Sequence, residues 1–432
     1  MFEGRQWIAY SPLGYYTGSD GRADFITWRI GNTVYDANQF FEKFYTPDLF
    51  LRVFQGKAPA PVTESRGVAP PPDVLIVSPR PGQVLTEPEV EVSVQVKDLG
   101  GGVSEVRLFQ NGKLVSPKND RRDVTLGEAS GASRTYKLTL LEGQNVLRVT
   151  AFSSDRTESK PHEVTVELRA PKKLAALRLL AVGISHYKNP GLSLTYPKAD
   201  ADGLVSFYKS TGSRLFREVD ITELSDEAAT EANIMQALSA LRRRSLPEDV
   251  VIVFFAGHGA SVNKPGETAD MHQWYFIPYD LTTPESEPEL SAHGVSKARL
   301  LEEVKAFPSQ KMVLLVDACY AGSLISTFRG FEDRMALELL GRSTGVYIIA
   351  ASARDQHASE VADLGHGVFT YALLKGLQGD AVLRTAERRV TVLGLISYIR
   401  DQLLEIGKKY SLEIQDPVTY SNGNDFPIAL LP

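Results

Sequence analysis

Four stretches beyond residue 173, residues 177–182, 250–255, 312–316 and 346–350, are almost unbroken apolar runs. A strand with one face in water must alternate apolar and polar side chains. A run that does not alternate therefore belongs to a strand covered on both faces, as parallel strands are. Between these runs, residues 198–210, 231–244 and 297–307 carry apolar side chains at helical spacing. Strand and helix alternate, so residues 174–432 are expected to form an α/β domain, a sheet of mostly parallel strands flanked by helices. Functional sites of such sheets lie beyond the carboxyl ends of the strands.

The preceding region follows another rule. From residue 74 to 168 the apolar residues alternate with period two, as in Val90-Glu91-Val92-Ser93-Val94-Gln95-Val96 and Val164-Thr165-Val166-Glu167-Leu168. Turn signals such as Asp98-Leu99-Gly100-Gly101-Gly102 and Asn111-Gly112 divide the runs into about seven short strands, the number an all-β sandwich requires. Residues 73–170 resemble the bacterial immunoglobulin-like modules and carry no catalytic constellation. Residues 58–72, with prolines at 59, 61, 70, 71 and 72, are expected to be an extended linker. Residues 1–57 are rich in aromatic and turn residues and are expected to form short strands, with a helix over residues 37–45 ending before Pro47. The run Trp7-Ile8-Ala9-Tyr10-Ser11-Pro12-Leu13-Gly14-Tyr15-Tyr16 resembles the end of a WD-repeat propeller of the kind some bacterial proteins place upstream of a protease domain.

Composition excludes several classes. Of 432 residues, 43% are hydrophobic and 23% charged, so a packed core is expected rather than disorder. A net charge of −6 has the wrong sign for nucleic acid or an anionic membrane, and no apolar run reaches the roughly 18 to 20 residues of a membrane helix. The first residues show no basic-then-apolar leader, and a cytoplasmic protein is expected. One cysteine, Cys319, rules out an internal disulfide and any multi-cysteine metal site.

That cysteine follows the third apolar run, in Met312-Val313-Leu314-Leu315-Val316-Asp317-Ala318-Cys319-Tyr320-Ala321-Gly322, and the second run ends in Phe255-Ala256-Gly257-His258-Gly259. A lone cysteine is most often a small buried hydrophobe and a lone histidine most often structural. Here both stand at the carboxyl ends of buried strands beside glycines, 61 positions apart across one strand and helix unit. A thiol needs a neighbouring base to become a thiolate, and imidazole suits that role near neutral pH. Cys319 and His258 are therefore expected to form a nucleophile and base pair.

These peptides, with Ala181-Val182-Gly183-Ile184-Ser185-His186-Tyr187, Lys198-Ala199-Asp200-Ala201 and Ala351-Ser352-Ala353-Arg354-Asp355-Gln356, resemble the caspase-like cysteine peptidases, specifically their bacterial metacaspase-like branch. The closing segment 390–432, with its amphipathic helix, resembles the end of the same domain. The resemblance implies a cysteine endopeptidase in which Cys319 attacks the peptide carbonyl and His258 manages the protons. It implies an oxyanion hole made by the backbone N–H groups of Cys319 and Gly259. Caspases proper use arginines to hold an aspartate before the scissile bond, whereas this chain has Asp317 two residues before the cysteine. A carboxylate there repels acidic and attracts basic side chains. The resemblance assigns Asp317, Asp355 and, less directly, Glu360 to a pocket for Arg or Lys. The competing role for Asp317 is a helix cap or turn, and Arg354 would partly neutralise Asp355.

In the family the segment after the cysteine strand is often cut on activation. Residues 323–344 hold Arg329, Arg334 and Arg342, which a peptidase of zymogen type cutting after arginine would process itself; an ordinary exposed helix over 332–340 is the alternative. Long loops over 261–273 and 280–294 are expected to wall the site. Some metacaspases need calcium, but the spacing of Glu285, Glu287 and Glu289 matches no ligand loop, so a solvated acidic turn and no cofactor are expected. Expected partners are protein or peptide substrates with basic residues, with a regulatory protein on the β-modules as a further possibility and no nucleic acid or membrane. The alternatives to a peptidase are a catalytically silent scaffold with the same fold and an esterase or transferase using the same dyad.

Overall fold

The structure, a computed structural model, describes residues 8–18, 26–30, 32–46, 49–54, 70–115, 132–171, 173–262, 273–318, 346–351, 362–380, 388–411, 418–420 and 425–431. The chain divides into two compact units, with the division between Lys172 and Lys173.

The first unit begins with two short hairpins, Ile8–Tyr10 with Tyr16–Gly18 and Thr27–Ile30 with Thr33–Asp36. The helix expected over residues 37–45 is instead a 3-10 turn, Ala37–Phe40, followed by a single α-turn, Phe41–Phe44, and a further helix spans Leu49–Phe54. The capping box at Asp36 starts this arrangement: the Asp36 carboxylate accepts the Asn38 N–H at 2.7 Å, and Gln39 Oε1 accepts the Asp36 N–H at 3.1 Å. Phe40 and Phe44 then gather around Trp28, which stacks on Phe44 at 5.0 Å.

This segment is too small to bury a core alone and is tied to the sandwich that follows. Arg107 and Arg156 reach Glu42 at 3.3 and 2.7 Å, and Lys43 reaches Asp155 at 2.7 Å. Among the described residues the sandwich has eight strands where about seven are expected, two of them only two residues long. A three-stranded sheet (Ala132–Thr139, Glu89–Lys97, Asp73–Ser78) faces a five-stranded one (Val84–Leu85, His162–Leu168, Gly143–Phe152, Glu105–Gln110, Lys113–Leu114). Alternate residues Val92, Val94, Val96, Leu147, Val149, Val164 and Val166 fill the space between. Asn111 and Gly112, at φ 53° and 87°, make the two-residue turn between Glu105–Gln110 and Lys113–Leu114.

The second unit runs β1 (Leu177–Gly183), α1 (Pro197–Thr211), β2 (Val219–Ser225), α2 (Glu231–Arg244), β3 (Val250–Gly257), β4 (Gly259–Val262), β5 (Gln273–Phe276), α3 (Glu287–His293), β6 (Val295–Ser296), α4 (Lys297–Ala306), β7 (Lys311–Ala318), β8 (Tyr347–Ala350), α5 (Val368–Lys375), β9 (Arg389–Thr391), α6 (Val392–Tyr410), β10 (Val418–Tyr420) and β11 (Pro427–Leu430). The six-stranded sheet has the order β2-β1-β3-β7-β8-β10, with five parallel strands and an antiparallel β10.

The apolar runs follow from this architecture. Leu179, Ile252, Phe254, Val313 and Ile349 pack on one face against α1, α5 and α6. Their neighbours Leu180, Val253, Phe255, Leu314 and Ile348 pack on the other against α2 and α4. Arg178, charged within β1, is buried and neutralised at the amino ends of the strands by Asp249 at 3.3 Å and by Glu218 and Asp220 at 3.0 Å.

The structure adds one strand and corrects two local expectations. β2 is an edge strand of half-buried residues, so it lacks the apolar run by which the central strands are found. The segments expected as loops over 261–273 and 280–294 are not only loop, because β4 and β5 reach into the first, as part of a small antiparallel sheet with β6, and α3 occupies part of the second. Glu287 and Glu289 lie in the first turn of α3, where the helix dipole favours acidic side chains, rather than in an acidic turn. Among the described residues, no helix is long and apolar enough to cross a membrane and no group of three or more acidic, histidine or cysteine side chains could hold a metal.

Candidate active site

β3 and β7 are neighbours, with Ala256 opposite Asp317 and Gly257 opposite Ala318. His258 therefore leaves one strand end while β7 brings the chain to the residue before Cys319. Cys319 itself, with Asp355, Glu360, Arg329, Arg334 and Arg342, lies outside the described residues, as do residues 58–69 of the expected linker.

His258 is held from several sides. Its carbonyl accepts the Ile277 N–H at 2.9 Å and its N–H donates to Tyr187 Oη at 2.8 Å. Nε2 lies 2.9 Å from the Leu192 carbonyl. A carbonyl can only accept, so Nε2 carries the hydrogen and Nδ1 holds the lone pair of the neutral ring. Leu192 ends a 3-10 turn, Pro190–Leu192, whose cap Asn189 accepts the Gly191 N–H at 3.0 Å and donates to the Thr282 carbonyl at 2.9 Å. Gly259 opens β4, opposite Phe276.

Asp317 is neither a cap nor a turn residue. It lies inside β7, is 6% exposed, and accepts the Thr370 hydroxyl at 2.7 Å from α5. Beside it stands Asp200 of α1, 2% exposed, whose Oδ1 accepts the His366 Nδ1–H at 2.9 Å and the Gly367 N–H at 3.1 Å. A β-carbon on Gly367 would stand 3.0 Å from Asp317 Oδ2 and 3.1 Å from Asp200 Oδ2, so both carboxylates border the same gap.

Asp200, His366 and Thr370 are site neighbours that sequence reasoning missed. A signal for Asp200 existed: it shares a helix face with Leu204 and Tyr208 at spacings of four, and an aspartate in an apolar stripe calls for an explanation.

Comparison with known proteins matches this architecture. The model of the caspase domain family of peptidases matches residues 177–411, and that of the bacterial Ig domain matches residues 72–166. No curated protein matches the chain. A solved structure from Geobacter sulfurreducens is similar over 59% of this chain and 95% of its own, at 16% identity and a TM-score of 0.39. The fibronectin(III)-like modules of CbhA from Clostridium thermocellum are similar over 22% of this chain and 97% of their own, at 19% identity and a TM-score of 0.18. Neither of these two likenesses bears on the site.

Proposed function

Since the chain belongs to the caspase domain family, we propose that it is a cysteine endopeptidase that cuts after arginine or lysine, with Cys319 as nucleophile and His258 as base. The observation that carries this reading is the position of His258. It stands at the end of the strand beside β7, with Nε2 bound to a carbonyl and the basic lone pair on Nδ1.

In the proposed reaction Nδ1 takes the proton of the Cys319 thiol, and the sulfur attacks the carbonyl carbon of the substrate. The backbone N–H groups of Cys319 and Gly259 hold the developing oxyanion. Collapse breaks the C–N bond, and the proton on His258 goes to the leaving amine. His258 then takes a proton from water, whose oxygen attacks the thioester. The acid product departs and the thiol is restored.

Selection of a basic side chain is supported by two buried carboxylates at one gap. Asp200 and Asp317 would meet the planar fork of a guanidinium through charge-assisted hydrogen bonds, with Asp355 and Glu360 as further acidic members of the pocket. Self-processing at Arg329, Arg334 or Arg342 follows as part of the same proposal.

Peptides with a fluorogenic amide leaving group, differing only in Arg, Lys, Asp or Ala before the scissile bond, test it with wild type and Cys319→Ala. Turnover of the basic peptides that disappears in the variant supports the proposal. Turnover after Asp that equals or exceeds turnover after Arg overturns the specificity, and activity that survives in Cys319→Ala overturns the mechanism.

A further inference from the structure

We infer that Tyr187 is a positioning residue for the histidine base, acting through the backbone of His258; the inference rests on reading His258 as the base. Gly257 and Gly259 flank the histidine, and Gly257 has φ +151°. Glycines on both sides allow the sharp exit from β3 but leave the peptide before His258 with little intrinsic stiffness. The Leu192 carbonyl holds only the tip of the ring, and the Ile277 N–H holds only the His258 carbonyl.

Tyr187 supplies a restraint at the backbone N–H. Its hydroxyl accepts the His258 N–H at 2.8 Å, and its ring lies against the imidazole with centroids 5.3 Å apart and planes at 43°. The close approach requires the glycine, because a β-carbon on Gly257 would stand 2.8 Å from Tyr187 Oη.

The tyrosine is itself fixed. It is 4% exposed, and bonds on either side anchor its backbone: Ile184 N–H to the Ala256 carbonyl at 3.1 Å and Lys188 N–H to the Tyr279 carbonyl at 3.1 Å. The segment after β1 thus holds the histidine twice, at the ring through Leu192 and at the backbone through Tyr187. Small misplacements of a proton-transfer group carry large rate penalties, so a fixed hydroxyl at the histidine N–H bears directly on turnover.

Tyr187→Phe keeps the ring and removes the acceptor. Loss of one such hydrogen bond is expected to lower kcat on an arginyl amide about fivefold to tenfold, with KM unchanged. A readout independent of turnover is available because Cys319 is the only thiol in the chain: its alkylation by iodoacetamide across pH 5 to 9 reports the thiolate directly.

His258→Ala is expected to shift the alkylation profile strongly and Tyr187→Phe part of the way. In the His258→Ala background, Tyr187→Phe is expected to change nothing further. A shifted profile for His258→Ala with a wild-type profile and kcat for Tyr187→Phe overturns the positioning role alone. An additional effect of Tyr187→Phe in the His258→Ala background overturns it too. A wild-type profile for His258→Ala removes the base and the inference with it. Should Tyr187→Phe not accumulate as folded protein, 3-fluorotyrosine placed at position 187 weakens the acceptor without changing the shape. Its kcat at pH 6.5 is then expected to fall, and an unchanged value overturns the inference.

Discussion

Asp200 and Asp317 bring their Oδ2 atoms to the same gap at Gly367, 3.1 and 3.0 Å from the point where a β-carbon would stand. Gly367 caps α5 with φ −55° and ψ 145°, a conformation that alanine adopts freely. Gly367→Ala therefore tests the gap rather than the backbone. KM for an arginyl peptide is expected to rise about tenfold or more, the scale of losing one charge-assisted contact, with kcat nearly unchanged and the melting temperature slightly lowered, since both carboxylates must give by a few tenths of an ångström. An unchanged KM would show that the substrate side chain does not enter there.

The two carboxylates differ in their supports, so their substitutions are expected to differ. Asp317→Asn removes the charge while an oxygen remains to accept the Thr370 hydroxyl. The preference for Arg over a neutral residue is expected to fall roughly tenfold to a hundredfold, as for a hydrogen bond to a charged group. Asp200→Asn also weakens the bond from His366, and its loss is expected to be at least as large. Ratios of kcat/KM across the peptide panel measure both, and a preserved Arg preference in both variants excludes this carboxylate pair as the selector.

Self-processing predicts defined masses. Purified wild type is expected to yield fragments ending at Arg329, Arg334 or Arg342, and Cys319→Ala only the intact chain. Substituting all three arginines by glutamine is expected to keep an active-site-competent chain in one piece. Intact-mass spectrometry decides the matter, and fragments that persist in Cys319→Ala would assign the cuts to another protease.

The sandwich carries its own pH dependence. Lys113 is buried, and burial pushes its ammonium down to about 7. In the unfolded chain lysine titrates near ~10.4. Between about pH 7 and 10 the unfolded chain therefore holds a proton that the folded one does not, and stability from this residue rises with pH across that window. The urea midpoint is expected to increase from pH 7 to 9.5 in wild type and to increase less in Lys113→Met. Parallel pH profiles for the two proteins would count against a neutral buried amine.

The sequence alone determined what depends on neighbours along the chain. Central strands declare themselves because a parallel strand covered on both faces must be apolar at successive positions, and β1, β3, β7 and β8 stand where those runs lie. Helices α1, α2 and α4 follow the apolar period, and the period-two alternation marks the sandwich. His258 and Asp317 could be singled out because each sits at or near the end of such a run, beside or close to a glycine or the lone cysteine.

What only the tertiary structure decided is which distant side chains meet. Asp200 and Asp317 converge because the sheet order and the packing of α1 and α5 bring their ends together at Gly367. Tyr187 and Leu192 reach His258 because β1 and β3 are paired. Edge strand β2 and the small β4-β5-β6 sheet owe their formation to neighbours already in place, so their residues carry no strong period of their own. Periodicity records how each segment is buried. The partners of a buried polar group are set by the fold, and no local pattern encodes them.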